Sequence, residues 1–217
     1  MFETHLHTAE TSACAALPAF DAVDRYHQNG YSGLVVTDHY VDTFFEGSLL
    51  PWAEQIDRFL RGYRLAKQRG AQWGMTVLLG IELRFQHNAN DYLVYGITPE
   101  FLIRHPRLYA MDEPSFYRLA KETGLLVIQA HPFRDNNQVI DSRWLDGIEV
   151  FNGQPAHRNH NDRALAYAQA HALIGISGSD CHDEASACTG GIIEPYPIET
   201  DRDLLAQLRA GAFRRIS

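Results

Sequence analysis

An α/β fold built around a parallel sheet is what this sequence predicts. Two observations point to it. Short apolar runs alternate with segments of helical periodicity along all 217 residues, and repeated strand–helix units imply parallel strands with right-handed crossovers. Histidines and acids stand where those apolar runs stop. Barrels and open α/β sheets gather their sites there, at the carboxyl ends of their strands. About seven units can be counted, one short of an eight-fold barrel. No internal repeat, low-complexity stretch or linker divides the chain, so a single domain over 1–217 is expected.

The elements follow in order. A short strand covers 3–5. A helix covers 18–29, with Phe20, Val23 and Tyr26 inward and Gly30 as its stop. The second strand is 34–37. Residues 40–50 read as a loop whose exposed aromatics, Tyr40, Phe44 and Phe45, line a pocket rim, though ordinary packing is the commoner use of such residues. One long helix is expected over 51–69, where Trp52, Ile56, Phe59, Leu60, Tyr63 and Ala66 keep three–four spacing, with Gly70 ending it. Strands follow at 76–83 and 92–95. A helix over Glu113–Thr123 opens on an Asp112 cap with Pro114 in its first turn. Further strands are expected at 125–130, 147–151 and 173–176. Helices are expected over 156–171 and Asp201–Ala210, the latter opened by Thr200.

The chemistry begins at His5 and His7. On a strand their side chains share one face, and two adjacent imidazoles suit a divalent cation better than they suit packing. Asp38-His39 ends the second apolar run, Glu82 the third, and His131 the run 125–130. Asp180 and His182 follow 173–177. Six of these groups, His5, His7, Glu82, His131, Asp180 and His182, buried at strand ends without a partner would be expensive, which favours a metal centre.

Bulk numbers narrow the function. The formal charge of −8 argues against a broad basic nucleic-acid surface, so nucleic acid is considered only as a nucleotide or short oligonucleotide. No apolar stretch has the roughly 20 residues that span a bilayer. No basic segment leads into an apolar core at the start, so a cytoplasmic, membrane-free protein is expected. Three cysteines make no disulfide framework. Cys181 is expected to point away from Asp180 and His182, with Cys14 and Cys188 as small buried residues.

Together His5-Leu6-His7-Thr8, Val36-Thr37-Asp38-His39, Gly80-Ile81-Glu82, Ala130-His131-Pro132 and Gly178-Ser179-Asp180-Cys181-His182 resemble, in order, the motifs of the PHP (polymerase and histidinol phosphatase) family. The resemblance implies a distorted (β/α)7 TIM-like barrel holding two to three divalent ions. It implies His5, His7, Glu82 and Asp180 on one ion, Glu82 bridging to a second with His131, and His39 with His182 on a third. Two positions depart from the histidine-rich pattern. Glu10 is assigned to the third ion and Asp91 to the second, an oxygen-rich set open to zinc, manganese or iron. Asp38 and Glu149 are expected to orient ligands or water.

The implied activity is metal-dependent phosphoesterase chemistry on a small phosphorylated substrate. A metal-bound hydroxide would attack, and inorganic phosphate would be a product. Glu82, His131 and Asp180 would act through that metal-activated water. Arg134 and Arg84 are the candidates to fork onto phosphate oxygens. A nuclease or polymerase-associated protein, and a non-catalytic metal-stabilised module, are the alternatives. His157 and His160 read as an exposed polar helix face, and His27, His105 and His171 as surface or structural residues. His87 lies in the loop near the site.

Overall fold

A computed structural model describes residues 1–135 and 137–217. The described residues form ten strands and eight α-helices, in the order β1 (Phe2–Leu6), α1 (Ala19–Gln28), β2 (Gly33–Val36), β3 (His39–Tyr40), α2 (Asp42–Phe45), α3 (Trp52–Phe59), α4 (Arg61–Trp73), β4 (Thr76–Arg84), β5 (Asp91–Tyr95), α5 (Pro99–Arg104), α6 (Glu113–Thr123), β6 (Leu126–Gln129), β7 (Gly147–Asn152), α7 (Asn161–His171), β8 (Ile174–Gly178), β9 (Ile192–Ile193), α8 (Asp201–Ala210) and β10 (Arg214–Arg215). The sheet runs β10-β9-β1-β2-β4-β5-β6-β7-β8, with β3 also beside β4. Just past the end of β8, Cys181 bridges in parallel to Leu6 of β1. The sheet is therefore a nearly closed barrel, the class the motifs imply. Phe2, Val35, Leu78, Leu93, Leu126, Ile128 and Ile176 come from six strands around it and form one buried cluster, joined by Leu204 and Leu208 of α8.

Most expected elements are present, with shifted ends. In α1, Ala19, Ala22, Val23 and Tyr26 are buried, one face at helical spacing. Thr200 and Asp203 form a reciprocal capping box at α8, and Asp112 caps α6 through Ser115 N–H. The polar run 156–160 precedes α7 rather than opening it, so His157 and His160 are not on a helix face.

Four expectations are corrected. The sheet is not parallel throughout: β5 runs antiparallel to both β4 and β6. Residues 51–69 are two helices, because Leu60 (φ −79°, ψ 7°) leaves helical geometry between them. Gly70 does not end the second one. It sits buried inside α4, where a Cβ would come within 2.6 Å of Val77, and the helix stops at Gly74 with φ +68°. Tyr40 and Phe45 are not on an exposed rim. They are buried against Phe59, Tyr109 and Trp52, on β3 and α2.

The close approach that matters most to the site is made by Gly62. A Cβ there would lie 1.8 Å from Thr8 Oγ1 and 3.0 Å from an Asp38 carboxylate oxygen. Gly62→Ala should therefore force α4 off the segment that follows His7 and cost about 1–3 kcal/mol of stability, as overpacking does. Urea unfolding would report it. An unchanged midpoint would show that the segment moves aside freely.

Candidate metal centre

Period-two geometry on β1 and its extension puts Glu3, His5 and His7 on one face. Glu3 is consumed structurally: it accepts the N–H groups of Thr4, His5 and Ser179 and the hydroxyls of Tyr26 and Ser179. His5 and His7 continue into the barrel mouth, where their Nε2 atoms lie 3.1 Å apart. Glu82 arrives at the end of β4 and Asp180 just beyond β8. His5 Nε2 is 3.3 Å from Glu82 Oε1 and 3.4 Å from Asp180 Oδ1, and His7 Nε2 is 3.4 Å from Glu82 Oε2 and from Asp180 Oδ1. His5, His7 and Glu82 have no exposed surface and Asp180 has 1%, so no solvent balances their charges.

This donor set fits a metal ion. Tetrahedral ligands at about 2.0–2.2 Å have edges of about 3.3–3.6 Å, close to the separations found. Glu82 Oε2 and His39 Nδ1 lie 2.7 Å apart, yet neither has a hydrogen-bond partner. Two buried polar atoms aimed at shared space without bonding each other are what a cation would satisfy. His131 Nε2 adds a contact to Glu82 Oε1 at 3.1 Å. Ligand atoms of His5, His7 and Asp180, of His7, His39 and His182, and of His39, Glu82 and Asp91 gather in three sets, each within 4.8 Å.

Neighbouring groups leave Nε2 of three imidazoles free for a ligand. His5 Nδ1 is 3.0 Å from Glu149 Oε1, and Glu149 Oε2 also accepts from His131 N–H and the Asn152 amide. His7 Nδ1 is 3.2 Å from Ser12 Oγ, which donates to Asp38 Oδ1. His182 Nδ1 is 2.9 Å from its own segment's Asp180 carbonyl. These contacts fix ring orientation and tautomer, the usual support behind metal-binding histidines. Asp38 thus lies behind Ser12 and Thr8, and Glu149 behind His5 and the His131 backbone.

Asp91 reaches the same mouth by a different route. Because β5 is antiparallel, its first residue, not its last, lies at the ligand end, opposite Arg84. Arg84 Nε and Nη2 each donate to one Asp91 oxygen at 2.7 Å, and Asp91 Oδ2 is 3.8 Å from His131 Nε2. Arg134 donates to Asn159, Asn152 and Asp180 Oδ2, at 2.9, 3.0 and 2.6 Å. Both arginines line a cavity of about 340 Å³ with His39, His131, His157 and His182.

Glu10 is not brought to the centre. Its carboxylate accepts Ala19 N–H at the start of α1. Cys14, expected to be a buried packing residue, is instead exposed and lines the cavity beside His39 and His182. His87 is drawn to Glu113 at 3.5 Å. His27, His105 and His171 stack on Trp73, Phe101 and Tyr167. Ser12, Asn137, which lies 3.0 Å from His131 Nδ1, and Asn159 were missed. Lone polar residues in loops carry no pattern that marks them in advance.

The electrostatics are those of a compensated cluster. Burial disfavours charge on every member. On Asp180 and Glu82, adjacent histidines outweigh it and hold both carboxyls well below their ordinary range. On His5 the nearby Asp180, Glu149 and Glu82 win, so its pKa is well above normal. His7 is pushed well below normal by burial and by His39 and His182. Burial also lifts the Asp38 carboxyl to about 6, against its hydrogen bonds. For Cys14, contacts with His182 and His39 override burial and bring the thiol to about 6. For His182, Asp180 and Cys14 override burial and raise it to about 10.

No family model matches this sequence, and no curated protein matches it. Solved structures share the fold. One is a two-domain Bacteroides vulgatus protein containing a predicted PHP-like metal-dependent phosphoesterase. It is 18% identical with a TM-score of 0.61, over 83% of this chain and 51% of its own, so this chain spans about half its length. A second is a candidate metal-dependent phosphoesterase from Bifidobacterium adolescentis, at 16% identity and TM-score 0.56 over 96% of this chain and 95% of that one. A third is an amidohydrolase from Chromobacterium violaceum, solved with sulfate and no metal, at 16% identity and TM-score 0.57 over 100% and 98%.

Two outcomes are expected. Glu149→Gln should weaken metal binding about 10- to 100-fold, the usual effect of losing a carboxylate behind a ligating histidine. A chelator competition would measure it, and unaltered affinity would remove Glu149 from the centre. Metal uptake should also release protons near neutrality. The His182 imidazole, raised to about 10, holds a proton at neutral pH that an incoming ion must displace, so affinity should rise with pH. Uptake in a pH-stat with no proton release would contradict this.

Proposed function

We propose that this chain is a PHP-type metal-dependent phosphoesterase that hydrolyses a small phosphorylated substrate. The observation that carries the reading is the fully buried quartet of His5, His7, Glu82 and Asp180, with Glu82 Oε2 and His39 Nδ1 facing each other unbonded. Two to three divalent ions of zinc, manganese or iron suit this mixture of imidazole and carboxylate. His5, His7, Glu82 and Asp180 would hold the first, Glu82, His131 and Asp91 the second, and His39 with His182 the third. When bound, such ions polarise phosphoryl oxygens and lower the pKa of water so that it can attack at neutral pH.

The chain's own residues do the rest. Glu82 faces three of the proposed positions, with one oxygen toward His5 and His131 and the other toward His7 and His39. It is therefore suited to bridge ions and to fix their separation. Arg134, held at the cavity edge by Asn152, Asn159 and Asp180, would receive phosphate oxygens, and Arg84 faces the same space while pairing with Asp91. A second cavity of about 450 Å³, lined by Val41, Phe44 and Ala13, shares Cys14, His39 and Arg84 with the first. It offers a less polar seat for the group that phosphate leaves behind. Space of this size favours a small organic phosphate, with inorganic phosphate released from a monoester. No helix among the described residues is long and apolar enough to cross a membrane.

The test is metal analysis of protein prepared without chelator, followed by turnover of phosphomonoesters, phosphodiesters, short oligonucleotides and amides with added manganese, zinc or iron. Metal content with phosphate-ester turnover is expected. Amide turnover alone would move the chain toward the Chromobacterium activity. Release of mononucleotides would favour the nuclease alternative, and metal without turnover the non-catalytic module. Within the phosphoesterase reading, Arg134→Lys should lower kcat/KM about 10- to 100-fold, as loss of a forked bond to a charged group does. Its metal content should be unchanged.

A further inference from the structure

We propose that Cys14 is a metal ligand whose sulfur completes, with His39 and His182, the cation site that the family resemblance would close with Glu10. This rests on the metal-centre reading above. Glu10 is committed elsewhere: its two oxygens lie 3.3 and 3.0 Å from Ala19 N, at the start of α1. The loop that carries both residues is fastened at two points, and each point belongs to one of the histidines. On one side, Ser12 Oγ donates to Asp38 at 2.7 Å and accepts His39 N–H at 3.1 Å. On the other, the His182 carbonyl accepts Ala16 N–H at 2.7 Å and Leu17 N–H at 3.2 Å. Cys14 lies midway between these anchors, exposed to the cavity that both imidazoles line.

The free atoms point the same way. His182 Nδ1 is occupied by the Asp180 carbonyl, which leaves Nε2 for a ligand. Cys14, His39 and His182 line one cavity, so an ion arriving from solvent meets all three together. On binding, the thiol proton leaves to solvent as the sulfur–metal bond forms, and no oxidant or reductant is involved. Two imidazoles and a thiolate make a softer site than the carboxylate-rich pair beside it. The third position would therefore select zinc over manganese even where the other two accept either.

Cobalt(II) added to the metal-free full-length chain tests this. A near-ultraviolet thiolate-to-cobalt charge-transfer band is expected, beside the visible bands of cobalt bound at the other positions. Cys14→Ser should abolish that band and one equivalent of bound cobalt, whereas Cys188→Ser and Glu10→Gln should keep both. Alkylation of Cys14, followed by peptide mapping, should slow on the order of tenfold when zinc is present, because a coordinated thiolate is no longer a free nucleophile. Cobalt binding without the charge-transfer band, or alkylation indifferent to zinc, would overturn the Cys14 assignment and leave the rest of the centre standing. Loss of metal in Glu10→Gln but not in Cys14→Ser would return the position to the carboxylate. No cobalt bound at all would sink the metal-centre reading together with this one.

Discussion

The constraint on which the molecule depends is that two carboxylates and several imidazoles share one solvent-free space at the mouth of the barrel. An unpaired ionised carboxylate buried in this way is costly, and breaking a buried pair leaves the survivor uncompensated. The fold answers by bringing a basic side chain near every oxygen. Glu82 meets His5 and His131 through one oxygen and His7 and His39 through the other. Asp180 meets His5, His7 and His182 through one oxygen and Arg134 through the other. These groups stand on the ends of several strands and on the loops that follow them. No one of them can shift without leaving a charge exposed to the others, and so the architecture and the site specify each other.

The surroundings extend this logic outward. Glu149 is fully buried and bonds His5, the His131 backbone and Asn152, and so couples β1, β6 and β7. Asp38 receives Thr8 twice and Ser12 once, and Ser12 in turn touches His7 and the His39 backbone. Helix α4 reaches this network only because position 62 has no side chain. The bare face of one helix thus sets how closely the first strand's extension can hold its histidine.

Much of this was legible in the sequence because strand ends are legible. A short apolar run that stops at His, Asp or Glu announces both a buried strand and a polar group at its tip. Strand direction was less visible. Asp91–Tyr95 is buried on both faces, so no alternation distinguishes an antiparallel strand from a parallel one, and Asp91 is a strand start that behaves as a strand end. Helix continuity across Leu60 was hidden because the apolar spacing runs through the break. Gly70 looked like a stop because composition cannot separate a glycine that ends a helix from one that lets a helix approach Val77. Glu10 and Cys14 are placed otherwise than expected for a similar reason. Residue type suggested the acid as ligand and the thiol as packing, whereas loop anchoring turned the acid to a helix terminus and the thiol to the cavity.

The seam that closes the barrel lies inside the site. Strands β8 and β1 do not zip together along their length. They meet where Cys181 N–H donates to the His5 carbonyl and His7 N–H donates to the Cys181 carbonyl, at 3.2 and 2.9 Å. Asp180 immediately precedes that seam with φ 50°, and His131 sits across the mouth with φ 28°. Both are left-handed conformations that a non-glycine residue adopts at a cost of about 1–3 kcal/mol. At Asp180 the turn lets the carboxylate enter the cluster while the next residue pairs with β1 and the one after returns His182 to the mouth. The strain therefore lies at the joint between the first strand and the last, beside His5 and His7.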